Sequence, residues 1–185
     1  MSWLRKRVLL RHPHADVRFG RGVYLGPGFS LHMPGAGAFI VGDGVEFRRD
    51  FRCEISGEGR VTIGADSVFT YSALIQCSTE IDIGERCQFG QTTILFDGHH
   101  RFRDLTRPML EQGFDFHHLR IEDDAVITTK CTIMADVGTR AFVGANSVVT
   151  KPVPPYTVVV GAPARVIDYV GPPGGEPAEL SSPAR

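Results

Sequence analysis

The sequence has no apolar run close to the roughly 18 to 20 residues that a membrane-spanning helix requires. It has only four cysteines, Cys53, Cys77, Cys87 and Cys131, and no two form a Cys-x-x-Cys pair. That argues against a zinc ribbon or a redox dithiol. Each lies in a segment that reads as strand, so the expectation is four small buried hydrophobes in a reducing cytoplasm, not nucleophiles. There is little net charge, a formal −1, and so no global pull toward nucleic acid. The opening "MSWLRKRVLLRHP" is basic, but its apolar core "VLL" is too short for a secretory signal, and no small-residue cleavage site follows. Arg5, Lys6, Arg7 and Arg11 could reach an anionic membrane surface, so membrane contact is expected to be peripheral at most. The preferred reading of this stretch is a solvated first turn.

What is present is a repeat. The 185 residues suit one domain, and 21 glycines and 12 prolines disfavour long helices. "FGRGVY" begins at 19, "VGDGVE" at 41, "IGADSV" at 63 and "IGERCQ" at 83. The pattern resumes with "IEDDAV" (121), "ITTKCT" (127), "VGTRAF" (137), "VGANSV" (143) and "VTKPVP" (149). An aliphatic or Phe residue opens nearly every six-residue unit. Neither an amphipathic helix nor an alternating hairpin strand has this period. It fits short strands stacked coil on coil, with the opening side chain pointing inward. The glycines are read as turn positions needing positive φ. The fold expected is all-β, a parallel β-helix over residues 17–168. A basic segment (1–16) precedes it, one loop (101–120) leaves it, and a flexible tail (169–185) follows.

The stretch "VGANSVVTKPVPPYTVVVGAPARVI" (143–167) resembles the C-terminal signature of the hexapeptide-repeat acyltransferases. The resemblance covers about residues 17–168. It implies a left-handed coil, an exception to the usual crossover rule, and a homotrimer with sites between neighbouring prisms. It also implies an acyl-CoA donor such as acetyl-CoA, with no metal. The coils begin by about residue 19, without the preceding helices of serine acetyltransferases and the maltose or galactoside enzymes. The chain therefore looks more like the compact sugar O-acetyltransferases of polysaccharide biosynthesis.

The repeat breaks after "FGQTTILFDGHH" (89–100). Loops projecting from a rigid scaffold carry function, and this one holds His99, His100, His117 and His118. Acyl transfer to a sugar hydroxyl needs a base near neutrality, which imidazole supplies. In the related enzymes the catalytic histidine closes the unit that opens the loop. The register from Leu95 places His100 there, and a Gly-His reading would choose His99. Asp97 has two open readings, a group orienting a histidine or binding a sugar hydroxyl, or simply a turn-forming residue. Arg101, Phe102 and Arg103 mix charge with an aromatic face, as a carbohydrate pocket does, though such a loop can also pack on a prism. Thr70 and Tyr71 fall where related enzymes keep an acceptor-binding asparagine.

At the donor end the resemblance implies that Thr150, Lys151 and Arg165 meet the CoA nucleotide, as cations suit its phosphates. It implies that Ala145 and Gly161 allow close approach, and that Thr128 and Thr129 line the pantetheine groove. Many relatives carry Trp-Ile-Gly where this chain has "VITT" (126–129), which leaves acyl length open. Three rivals stand beside this reading. One is an N-acetyltransferase acting on an amino sugar. Another is a non-catalytic scaffold. The third is a γ-type carbonic anhydrase with zinc on histidines of adjacent coils, against which residues 121–168 contain no histidine.

Overall fold

The computed structural model describes residues 3–181. Helix α1 (Trp3–Arg11) precedes a three-sided prism of parallel strands. The first face holds β1 (Asp16–Phe19), β4 (Ala38–Val41), β7 (Arg60–Ile63), β10 (Glu80–Ile83) and β15 (Leu119–Ile121). The second holds β2 (Tyr24–Leu25), β5 (Glu46–Phe47), β8 (Val68–Phe69), β11 (Gln88–Phe89), β16 (Val126–Ile127), β18 (Phe142–Val143) and β20 (Thr157–Val160). The third holds β3 (Ser30–His32), β6 (Arg52–Ile55), β9 (Leu74–Cys77), β12 (Ile94–Phe96), β17 (Thr132–Ile133) and β19 (Val148–Val149). Two further strands, β13 (Gly98–His100) and β14 (Phe114–Phe116), form an antiparallel ribbon, and β21 (Arg165–Tyr169) folds back antiparallel on β20. A short helix, α2 (Ala178–Ser181), ends the described chain. This is the left-handed parallel β-helix of hexapeptide repeats that the sequence implies.

The register explains the six-residue period. Inward residues stack in columns: Phe19, Val41, Ile63, Ile83, Ile121 and Val137 on the first face, and Phe47, Phe69, Phe89, Ile127 and Val143 on the second. The step from first to second face is six residues in every coil, as from 41 to 47 and from 121 to 127. The step from second to third is six as well, as from 47 to 53 and from 127 to 133. The step from third back to first varies: 31 to 41, 53 to 63, 75 to 83, 95 to 121, 133 to 137 and 149 to 153. All length variation sits on one edge of the prism. Phe47, Phe69 and Phe89 form a stacked column with centroids 5.3 and 4.4 Å apart. Burying each phenylalanine is worth roughly 1.5–3 kcal/mol.

Two expectations are corrected. The glycines that follow the inward residue, such as Gly64, are not the left-handed positions. A Cβ on Gly64 would lie 2.5 Å from the carbonyl carbon of Gly84 in the next coil, so glycine is there for close stacking. The left-handed corner comes two residues later and is Gly44 in one coil but Asp66, Arg86 and Asp124 in those above. The basic start is also not a solvated turn. It forms α1, with Val8 only 7 % exposed. Arg5 of that helix donates to the Gly20 and Val23 carbonyls, covering the first coil's open edge. Of the expected tail, Tyr169 ends β21 and Ala178–Ser181 form α2, and residues 182–185 lie outside the described chain.

Candidate active site on the ribbon edge

The chain leaves the prism after β12 because the next inward side chain is a carboxylate, not an aliphatic group. Asp97 is 2 % exposed. It accepts hydrogen bonds from Ser78 N at 2.9 Å, Thr79 N at 2.6 Å and Thr79 Oγ1 at 3.0 Å, all in the coil before. These bonds make Asp97 an anchor of the exit, and it also lines a small pocket with Gly98, Phe114 and Phe116. The returning strand is braced too. His117 N donates to Asp97 O at 2.8 Å, and His118 Nε2 lies 2.7 Å from Asp82 Oδ2. Arg120 Nη2 donates to His118 Nδ1 at 2.7 Å, which makes Nε2 the protonated nitrogen. Glu80, Asp82 and His118 are the one group of metal-ligating type and spacing among the described residues. Both its ring nitrogens already have protein partners, so it reads as a brace. The excursion therefore runs over residues 98–118, beginning and ending earlier than 101–120.

The ribbon sets which groups share a face. His99 pairs with Asp115 and His100 with Phe114. Side chains alternate along a strand, so His99, Arg101 and Asp115 share one face while His100, Phe114 and Phe116 share the other. His99 Nε2 is 4.0 Å from Asp115 Oδ2, and Arg101 Nε donates to Asp115 Oδ1 at 2.6 Å. His100 packs its ring 4.1 Å from that of Phe114, which stacks on Phe116. Phe116 lies over Gly98, where any Cβ would strike its ring at 2.3 Å. His99, His100, Arg101, Phe102 and Arg103 line one pocket of about 470 Å³, which Asp115 and Arg107 complete. Asp115 is the residue that sequence reasoning missed. Only the alternation in "FDF" hinted at a strand, and the antiparallel register that pairs it with His99 left no mark in the sequence.

The other candidates lie elsewhere. Thr70 shares a groove of about 330 Å³ with Thr128 and Thr129, on the edge between the second and third faces. Thr128 Oγ1 donates to Val143 O and Thr129 Oγ1 to Gln91 O, while Thr70 Oγ1 is buried without a partner among the described residues. Tyr71 opens onto a neighbouring groove with Tyr24, Glu46 and Arg48. Ala145 and Gly161 follow β18 and β20 on that same edge. Thr150 and Lys151 follow β19 on the ribbon's edge, and Arg165 sits exposed in β21. Within one chain Thr70 and Tyr71 thus sit with Thr128, Thr129, Ala145 and Gly161, while Thr150 and Lys151 share the edge that carries His100.

No family model matches the chain. A probable acetyltransferase of Mycobacterium tuberculosis is 29 % identical over 168 residues, covering 89 % of this chain and 55 % of that protein. A serine acetyltransferase of Bacillus pumilus is 39 % identical over 87 residues, 46 % of this chain and 37 % of its own length. The chain spans about half the length, or less, of these curated relatives. A hexapeptide-repeat acetyltransferase of Vibrio cholerae, solved with acetyl coenzyme A, superposes with a TM-score of 0.63 at 22 % identity. It covers 93 % of this chain and 81 % of that one. A variant of the N-acyltransferase AntD from Bacillus cereus, solved with dTDP and coenzyme A, gives 0.72 at 21 % identity, covering 91 % and 89 %. The chain shares the hexapeptide-repeat left-handed β-helix fold of these acyltransferases.

In this hexapeptide-repeat protein the cysteines take no part in the site. All four are free and buried. Burial pushes the thiols of Cys53 and Cys77 up, with the neighbouring Asp97 charge adding to the effect at Cys77. Burial likewise pushes Cys87 up to about 11. These three are protonated near neutrality, which leaves nucleophilic work to other groups. No helix among the described residues is long and apolar enough to cross a membrane.

Proposed function

We propose that the chain is an acyl-CoA-dependent acyltransferase that moves an acetyl group onto a hydroxyl of a sugar or glycan precursor. The observation that carries this reading is the pair of exposed histidines, held on a braced ribbon at the edge of a hexapeptide prism beside a pocket of arginines and an aromatic ring. Relatives named acetyltransferases, and solved neighbours holding acetyl-CoA or CoA, support the donor. The dTDP in the AntD complex supports a sugar-type acceptor.

His100 takes the acceptor proton as the oxygen attacks the thioester carbonyl. The new C–O bond forms, the C–S bond breaks, and the coenzyme leaves as a thiol after collecting that proton. His99, beside Asp115, is the alternative base. The groove of Thr128 and Thr129 and the histidines occupy two different edges of one prism, which supports a homotrimer in which one protomer's ribbon meets its neighbour's groove. Four buried free thiols support a reducing, cytoplasmic setting. The test is thiol release from acetyl-CoA against a panel of sugars and amino sugars, which also separates oxygen from nitrogen acceptors. His100→Ala is expected to lower kcat by about 10²–10⁴. Unchanged turnover in both His100→Ala and His99→Ala would overturn the base assignment.

A further inference from the structure

We propose that the pocket inside the ribbon is an anion subsite, and that the acceptor carries a phosphoryl group, as a sugar phosphate or a diphosphate-linked sugar. This deepens the acyltransferase reading and rests on it.

The argument is a charge inventory. Five charged side chains line the pocket: Arg101, Arg103, Arg107, Asp104 and Asp115. Each carboxylate has one oxygen engaged. Asp115 is bound by Arg101 at 2.6 Å, with His99 on its other oxygen at 4.0 Å. Asp104 turns onto its own loop, where Thr106 Oγ1 and Thr106 N donate to Oδ1 at 2.6 and 2.9 Å, and these bonds hold its carboxyl below the usual range. Neither Arg103 nor Arg107 has a carboxylate partner among the described residues. Arg103 lies 5.2 Å from the centroid of the Phe102 ring, and Arg107 gives one N–H to Glu111 O at 2.6 Å.

Two guanidinium groups with unspent donors therefore face a cavity of about 470 Å³ beside His100. The three guanidinium groups outnumber the two carboxylates, so the pocket lining carries a net positive charge. Guanidinium forks match phosphate oxygens in pairs, and a ring beneath one fork fixes its plane. Gln112 makes the arrangement firm before any ligand arrives. Its amide donates to Asp104 O at 2.8 Å and to Arg107 O at 3.1 Å, and its oxygen accepts from Asp104 N at 3.0 Å. Just beyond stand Leu105, 96 % exposed, and Leu110, 83 % exposed. A phosphate borne on a lipid would meet these two, and a soluble sugar phosphate would not need them.

The experiment uses the full chain and measures two affinities by calorimetry, for acetyl-CoA and for pyrophosphate. Pyrophosphate is expected to bind, and Arg103→Gln with Arg107→Gln is expected to weaken it at least tenfold. The melting temperature and acetyl-CoA affinity should not change. Acetyl-CoA binding with no pyrophosphate binding, or with binding that ignores the double variant, overturns the subsite alone. Arginine-dependent pyrophosphate binding without acetyl-CoA binding keeps the subsite and overturns the acyltransferase reading. A second arm compares glucose 1-phosphate and UDP-glucose with a micelle-dispersed polyprenyl diphosphate sugar as acceptors. Leu105→Ser with Leu110→Ser reduces turnover only if the phosphate is lipid-borne. Equal turnover of unphosphorylated glucose in every arm overturns the proposal.

Discussion

Asp97 reaches one coil back to Thr79, and its Oδ2 accepts both that residue's backbone N–H, at 2.6 Å, and its hydroxyl, at 3.0 Å. Because Asp97 is buried, Asp97→Ala leaves the N–H groups of Ser78 and Thr79 without their acceptor. The expected loss is about 2–4 kcal/mol of stability, read from urea unfolding. Asp97→Asn keeps one acceptor oxygen and should fall between. A variant that unfolds like the parent yet loses acceptor affinity would make Asp97 a sugar ligand and not an anchor.

Thr92 is exposed and sits at φ 57, where a β-branched residue is strained. The same corner two coils later carries Asn146 at φ 60, a residue type that tolerates this conformation. Thr92→Asn keeps the N–H that donates to Tyr71 O at 2.8 Å. It should add about 0.5–1 kcal/mol, or about 1–4 °C in a thermal melt.

If the site is shared between protomers, two inactive variants should complement. His100→Ala removes the proposed base, and Ala145→Trp blocks the proposed groove from the exposed corner after β18. Unfolded together and refolded as a mixture, they should regain on the order of a quarter of parental turnover, the share of interfaces joining one intact ribbon to one intact groove. No recovery would place both halves of the site in one chain.

The buried thiols predict an alkaline limit. Cys53, Cys77 and Cys87 all have folded pKa values raised above the ordinary 9.0. Above pH 9 the unfolded chain gives up these protons while the folded chain keeps them, so stability falls as pH rises. For Cys87 the loss accumulates between pH 9.0 and about 11. Cys87→Ala should flatten that part of the stability profile by on the order of 1–2 kcal/mol relative to the parent. Below pH 9 the two profiles should run parallel.

The prism was legible because it depends on a strict local rule: one inward aliphatic or Phe residue every six positions, repeated until the columns close. His99, His100, Arg101, Phe102 and Arg103 could be grouped because they are consecutive, and the structure keeps them around one pocket. Contacts between distant residues were not legible. The pairing of His99 with Asp115 depends on how far the ribbon extends before turning, and no periodicity records that. The burial of Asp97 depends on amides of the preceding coil, so a residue that looks like a turn former is a structural anchor. The glycines were read as conformational devices, yet Gly64 stands where the next coil's backbone comes too close for any side chain.

Two of the three prism edges keep a fixed six-residue count, closed by left-handed corners such as Asp66 and Ser72. They set the pitch, and a single inserted residue there would turn a core side chain toward solvent. The third edge spans ten residues between 31 and 41, four between 149 and 153, and twenty-six between 95 and 121, with the columns above and below still in register. That edge is a docking port in the architecture. Chain can be lengthened, shortened or exchanged at it without disturbing a single core contact. Residues 98–118 can therefore be replaced as one cassette while the two length-locked edges stay as they are.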